Sequence, residues 1–350
     1  MPTAGPPAAA RRTWVADLPG IAALPGIAEL VAAATVVRIP LRVRFRGVDV
    51  REALLLRGPH GWGEFAPFIE YDDAESAPWL AAAIETGWSS WPAPVREVVP
   101  CNATVPPVEA ADVAGVLARY DGCTTAKVKV AQPGQGLADD LSRVAAVRDV
   151  MGPTARIRVD ANGGWAVEEA TDALRRLSAY GLEYAEQPCA GVPELRRLRI
   201  ALARRRIDVL VAADESVRRA QDPMLVVREE AADVVVVKVA PLGGVAAALA
   251  IAAACGLPAV VSSALDTSVG IAAGTALAAA LPDLPYACGL GTVELLVGDV
   301  SRPSLVPVGG AIAVGRAQVD DELVQRWRAP EHRQQWWLRR LARCQALLGS

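Results

Sequence analysis

Ala-Lys-Val-Lys-Val, residues 126–130, is a short apolar run that carries two lysines, Lys127 and Lys129, one residue apart. Further segments repeat the plan of an apolar run ended by a charge: Val-Asp-Ala-Asn-Gly (159–163), Glu-Gln-Pro (186–188), Ala-Asp-Glu-Ser (213–216) and Val-Val-Val-Val-Lys (234–238). From Asp160 through Glu186 and Asp214 to Lys238 the steps are 26, 28 and 24 residues. Each step is close to the length of one strand-plus-helix unit, so each charge falls at an equivalent strand end. A barrel of alternating strands and helices builds its active site from such strand ends.

Working outward, a chain of 350 residues with 52% hydrophobic residues can bury a large core. An α/β barrel needs about 250 residues, which leaves roughly 100 for a second module. The formal net charge of −3, with both signs interspersed, provides no basic face for nucleic acid, and the expected partner is a small molecule. Six cysteines without C-x-x-C spacing suggest neither a disulfide framework nor a zinc site, and they read as core fillers in a cytoplasmic protein. Apolar stretches such as 245–254 are broken by Gly and Pro before they reach membrane-spanning length, so no stable membrane association is expected. Arg11-Arg12 is not followed by a signal-type apolar segment.

The division expected is a tail or loosely packed segment over 1–27, an α+β capping domain over 28–97, a barrel over 98–320 and a C-terminal segment, 321–350, packing on the capping domain. In the capping domain, 36–45, 48–56 and 61–64 read as an antiparallel meander, followed by a helix over 74–88 with Asp73 as its N-cap. The barrel reads as strands at 98–104, 124–130, 156–160, 183–186, 209–213, 233–238, 258–262 and 285–288. Helices at 107–119, 137–151, 167–180, 193–204, 218–230, 243–255 and 269–280 lie between them. Eight strands and seven helices give a (β/α)7β modified TIM barrel, an α/β fold.

Asp160, Glu186 and Asp214 supply hard oxygen ligands with no histidine or cysteine nearby, which suits Mg²⁺, with Mn²⁺ as a substitute, rather than zinc. An isolated carboxylate at a strand end is ordinarily solvated or a helix cap, but three in register and framed by lysines are not. Lys127 and Lys129 share one strand face, and Lys238 ends a fully apolar strand, where an ammonium needs a carboxylate or a substrate anion beside it. Lysines across a divalent cation can remove a proton next to a carboxylate, because nearby positive charge lowers the pKa of the lysine acting as base.

As a set, these motifs resemble the muconate-lactonising subgroup of the enolase superfamily. The resemblance covers about residues 98–290 and implies that Asp160, Glu186 and Asp214 bind Mg²⁺, that Lys129 is the acid/base and that Lys238 acts on the opposite face. Within the superfamily the chain resembles the actinobacterial o-succinylbenzoate synthases. That likeness rests on Arg-Phe-Arg-Gly (44–47), Gly-Trp-Gly-Glu-Phe-Ala-Pro-Phe (61–68), Glu-Tyr-Asp-Asp (70–73), Arg158 and Ala-Cys-Gly-Leu-Gly-Thr (287–292). It implies a lyase of menaquinone biosynthesis that dehydrates 2-succinyl-6-hydroxy-2,4-cyclohexadiene-1-carboxylate to 2-succinylbenzoate through an enediolate. Lys129 would take the α-proton and protonate the departing hydroxyl. Lys127, Arg158, Asn162, Ser262, Ser263 and Gly289 are the substrate-binding candidates for this dicarboxylate, although each serine is equally well a hydrogen-bonded strand terminus.

Absences narrow the choice. Only His60 and His332 are present, both outside the barrel, so the histidine base of the mandelate-racemase-like subgroup is missing. Cys288-Gly289-Leu290 stands where dipeptide epimerases carry Asp-x-Asp. N-succinylamino acid racemisation, which uses the same lysines and a succinyl arm, remains an alternative, as does another muconate-cycloisomerase-like substrate. Readings from other classes are a Schiff-base aldolase, which needs no metal, and a non-catalytic barrel. Arg38, Arg42, Arg44 and Arg46 recur at period two and read as a solvated sheet face, unless one of them reaches over the barrel mouth.

Overall fold

The computed structural model describes residues 24–219 and 222–349, so most of the expected 1–27 tail lies outside the described residues. After a short helix α1 (Ile27–Ala32), strands β1 (Ala34–Phe45), β2 (Val48–Gly58) and β3 (Gly61–Phe65) form an antiparallel sheet in the order β1-β2-β3. The β1–β2 register runs from Ala34↔Leu56 to Pro40↔Val50, breaks at Pro40, which has no N–H to give, and resumes at Phe45↔Val48. Arg46 (φ 51°) and Gly47 (φ 77°) form the left-handed turn between the strands. Helix α2 (Asp73–Trp88) packs across this sheet, and its N-cap is Asp72, not Asp73: the Asp72 carboxylate accepts the Glu75 N–H at 2.7 Å.

The expected first barrel strand divides at Pro100. Strand β4 (Val98–Pro100) pairs antiparallel with β12 (Ala311–Ala313), outside the barrel, whereas β5 (Ala103–Val105) enters the barrel sheet. Helix α3 is only Val113–Leu117, because Pro106-Pro107 and Gly115 shorten the expected 107–119 helix. The series continues with β6 (Thr125–Lys129), α4 (Leu137–Met151), β7 (Arg156–Asp160), α5 (Val167–Leu177), β8 (Leu182–Glu186), α6 (Val192–Arg205) and β9 (Val211–Ala213). In place of one helix over 218–230 come α7 (Glu215–Arg218) and α8 (Leu225–Arg228), with Pro223 between them. After β10 (Val234–Val237), the helix expected over 243–255 is preceded by α9 (Val239–Leu242). Gly243 and Gly244, both at positive φ, separate it from α10 (Val245–Cys255). Then follow β11 (Ala259–Val261), α11 (Ser268–Ala280), α12 (Asp321–Arg326) and α13 (Glu331–Leu348).

The parallel sheet runs β11-β10-β9-β8-β7-β6-β5. The eighth strand expected at 285–288 is reduced to two bridges, Cys101↔Cys288 and Ser262↔Gly289, which close the barrel between β5 and β11. Pro285 and the glycines at 289 and 291 deny this segment a longer ladder. Outward-facing residues such as Val128, Val159, Ala185, Val211, Val235 and Val261 pack under the helices, while Tyr184, Ala212, Val234, Val236 and Val260 fill the barrel interior. The capping sheet packs with α2 and α13. Trp337 of α13, fully buried, meets the Phe65 ring edge-on at 5.7 Å and donates its indole N–H to Glu52 at 2.9 Å. Among the described residues no helix is long and apolar enough to cross a membrane.

Candidate active site

Parallel pairing fixes which residues meet. Lys129 is in register with Asp160, Asp160 with Glu186, and Glu186 with Ala212, two residues before Asp214. Side chains alternate along a strand, so Lys127, Lys129, Asp160 and Glu186 all project into the barrel above its apolar filling. Lys238 follows β10 at the same level. All of these groups are buried.

The ammonium groups and carboxylates interlock. Lys129 Nζ donates to Asp160 Oδ2 and to Asn162 Oδ1, both at 2.6 Å. Lys127 Nζ donates to both Glu186 oxygens at 2.8 and 3.0 Å and lies 3.3 Å from Asp160. Lys238 Nζ donates to Asp214 Oδ2 at 2.5 Å, and Arg218 Nε takes the other oxygen at 3.0 Å.

Burial alone would depress Lys127 and Lys129, and the neighbours then separate the two. For Lys127, Glu186 and Asp160 outweigh burial and raise the pKa. For Lys129, burial wins: together with the charge of Lys127 it overcomes Asp160 and holds the pKa below its ordinary value. Asp160 and Asp214 are held low because their cations defeat the burial penalty. Glu186 goes the other way, to about 7, because burial and then the Asp160 charge outweigh Lys127. Lys127 and Glu186 are therefore both raised, which no isolated ion pair would do; the excess of carboxylate around Glu186 is the cause.

Among the described residues no three His, Cys, Asp or Glu side chains are gathered closely enough to ring a metal ion, the carboxylates here being spent on ammonium groups. The donor set nevertheless fits a hard divalent cation: three buried carboxylates at the ends of adjacent strands, all of them oxygen donors.

The capping domain covers the mouth. Phe45, at the β1–β2 turn, lies 5.2 Å from Lys129 Nζ, and with Arg46, Glu70, Lys129, Asn162 and Trp165 it lines a cavity of about 950 Å³. Of the four period-two arginines, Arg38 pairs with Glu52 and Arg44 with Asp49, whereas Arg46 leans over Phe68 toward the Tyr71 hydroxyl.

Of the predicted site residues, Lys129 and Asn162 line this cavity; Lys127, Lys238, Asp160, Glu186 and Asp214 lie beside it in the buried charged layer, and the others fall elsewhere. Arg158 is fully buried beneath the charged layer, bonded to Glu183, to Asn102 at 3.1 Å and to the Ala287 carbonyl at 2.6 Å, and does not line this cavity. Ser262, Ser263 and Gly289 lie together at the barrel closure. Ser263 Oγ donates to the Gly289 carbonyl at 2.7 Å and shares a hydrogen bond with Thr292 at 2.8 Å. A Cβ on Gly289 would stand 2.5 Å from Ser262 Oγ, so a larger residue there would push the Ser262 hydroxyl aside.

The sequence reading missed Glu215, Arg218 and Tyr71. Asn162 Nδ2 donates to Glu215 at 3.2 Å, Arg218 clamps Glu215 at 2.6 Å and Arg218 also reaches Tyr71 at 3.2 Å. Their signal was the Arg four residues after Asp214 on a helical turn.

Residues 36–87 match the family model described as enolase N-terminal domain-like, and residues 109–318 the one described as enolase C-terminal domain-like. Among curated proteins, the o-succinylbenzoate synthase of Mycobacterium tuberculosis is 56% identical over 314 residues, covering 89% of this chain and 94% of that protein. The o-succinylbenzoate synthase of Thermobifida fusca is 58% identical over 284 residues, covering 81% of this chain and 88% of its own. Among solved structures, 2-chloromuconate cycloisomerase from Rhodococcus opacus superposes with a TM-score of 0.69 at 22% identity, over 85% of this chain and 98% of that one.

Proposed function

The chain belongs to the o-succinylbenzoate synthase family of the enolase superfamily, and on that premise we propose that it dehydrates 2-succinyl-6-hydroxy-2,4-cyclohexadiene-1-carboxylate to 2-succinylbenzoate, with Mg²⁺ as its cation. The observation that carries the reading is Lys129. Its amine is buried, its pKa is depressed, it is aimed by Asp160 and Asn162, and it lines the cavity beside Phe45 and Arg46. Burial makes the ammonium of such a lysine easier to deprotonate than that of a solvated one, which is what a general base requires.

Lys129 takes the proton α to the ring carboxylate. The same group then returns a proton to the hydroxyl on the same face, the C–O bond breaks, water leaves and the ring becomes aromatic. One group serving both steps makes the elimination syn. Asp160, Glu186 and Asp214 are the residues that would hold the cation, which supplies positive charge against the carboxylate as the α-proton departs. Lys238, hydrogen-bonded to Asp214 at 2.5 Å, would face the ring from the other side. Lys127 anchors Glu186, and Asn162 steers Lys129. The Ser262, Ser263 and Gly289 cluster would receive the succinyl carboxylate, and Arg158 ties down the Ala287 carbonyl two residues before Gly289. On this reading the protein works in the cytoplasm on a small dicarboxylate, in menaquinone biosynthesis.

The test is turnover of the cyclohexadiene by purified protein, followed by loss of diene absorbance with Mg²⁺ and with chelator. Metal-dependent turnover is expected. No turnover with Mg²⁺ moves the substrate to an N-succinylamino acid, and turnover that survives chelation removes the metal from the account.

A further inference from the structure

The loop 262–267 joins β11 to α11 and carries Ser262 and Ser263. Its conformation is unusual for its sequence. Leu265 adopts φ 65°, a left-handed backbone that a leucine takes only when its surroundings impose it. The imposing groups come from the capping sheet rather than from the barrel. Arg51 of β2 donates from Nε to the Leu265 carbonyl at 3.0 Å and from one Nη to the Ala264 carbonyl at 3.2 Å. The same nitrogen reaches the Ala66 carbonyl, and the guanidinium stacks on Phe68 at 4.6 Å. Glu64 of β3 accepts the Thr267 hydroxyl at 2.6 Å, the Thr267 N–H at 3.1 Å and the Gly270 N–H at 3.0 Å. Both side chains are buried.

Two buried polar side chains of the capping sheet are thus spent on one loop and the helix start that follows it: Arg51 chiefly on the Ala264 and Leu265 carbonyls, Glu64 on Thr267 and the Gly270 N–H. Gly270 is required for the approach, since a Cβ there would lie 2.7 Å from the Asp266 Cβ and 3.2 Å from Glu64 Oε2. Inside the loop, Ala264 N–H donates to Asp266 at 3.1 Å, and on its barrel side Ser263 N–H donates to the Gly289 carbonyl at 3.1 Å.

We propose that Arg51 and Glu64 are positioning residues, holding 264–267 in the left-handed turn that sets Ser262 and Ser263 against Gly289. The capping domain thereby fixes the geometry of the barrel's seventh loop as well as covering the mouth. The inference rests on the reading above that this loop receives the substrate's succinyl arm.

The experiment compares the wild-type protein, Arg51→Met, Arg51→Lys and Thr267→Val by steady-state kinetics and by amide hydrogen exchange. Thr267→Val deletes the hydroxyl that donates to Glu64 and also caps α11 by accepting the Val269 N–H at 3.2 Å, and it keeps the test open if an Arg51 variant does not fold. The expected result is a KM raised about tenfold in Arg51→Met, the worth of one lost hydrogen bond, with kcat changed less than about threefold. Arg51→Lys is intermediate, Thr267→Val shifts in the same direction, and faster exchange is confined to 262–270. A KM unchanged in variants that fold, or exchange that speeds up evenly over the molecule, overturns the proposal. If the wild-type protein does not turn the substrate over, the functional reading fails, and the exchange pattern alone decides the clamp.

Discussion

Two residues apart on one strand, Lys127 and Lys129 are driven in opposite directions by their neighbours, and this separation assigns their roles. The two carboxylates hold Lys127 as a cation, while burial makes the Lys129 ammonium easier to deprotonate than a solvated one. The strand-end charges were legible in the sequence because parallel pairing places such positions side by side. Arg218 and Tyr71 were not, because the bond between them spans 147 residues of sequence and joins two modules. Arg218 holds Asp214 at one oxygen and Glu215 at 2.6 Å, so it sets the orientation of a carboxylate assigned to the cation. Partners that orient metal-binding carboxylates typically contribute about 10–100-fold in affinity. Arg218→Met is expected to weaken Mg²⁺ binding by that amount in a calorimetric titration; an unchanged affinity would remove Arg218 from the site.

Among the elements, the barrel helices following β10 and β11 begin on carboxylates lent by the capping domain. Glu85 of α2 accepts the N–H groups of Val245 and Ala246 at the start of α10, where Gly244 leaves room that a Cβ would close. Glu64 does the same at α11. Burial first, and then the charge of Asp266, push the Glu64 carboxyl up to about 8, against the pull of Thr267 and Arg51. A carboxyl raised from 4.5 contributes stability that is fully present below its unfolded value and is lost as pH rises toward 8. Glu64→Gln lacks that loss, so its Tm relative to the wild type is expected to climb between about pH 5 and pH 8. A difference that stays flat across this range contradicts the assignment. Element boundaries were the less legible part. Pro106-Pro107 and Pro223 shorten or split two helices that hydrophobic runs suggested were continuous, a short unexpected helix α9 precedes Gly243-Gly244, and the eighth strand shrinks to two bridges beside Pro285. The breakers were visible, but apolar composition around them outweighed them in the reading. Caps such as Glu64 and Glu85 carry no local signal, because the helices they serve lie far along the chain.

For the whole molecule, the order of charges along five strands pointed to the architecture before any helix was placed, since only a closed parallel sheet brings those strand ends to one mouth. The similarity to a cycloisomerase at 22% identity with a TM-score of 0.69 shows how far the side chains can change while that frame persists. How the capping module meets the barrel was not legible: the turn of Phe45 over Lys129, the lean of Arg46 and the grip of Arg51 all depend on docking two modules. The central claim is that one lysine on one face of this mouth runs both proton transfers. It is tested most directly by the rate of dehydration in Lys129→Ala at saturating Mg²⁺, with Tm recorded alongside. The account predicts a fall of at least about 100-fold with the fold intact, the scale of a lost general acid–base. A rate within about threefold of the wild type would contradict it.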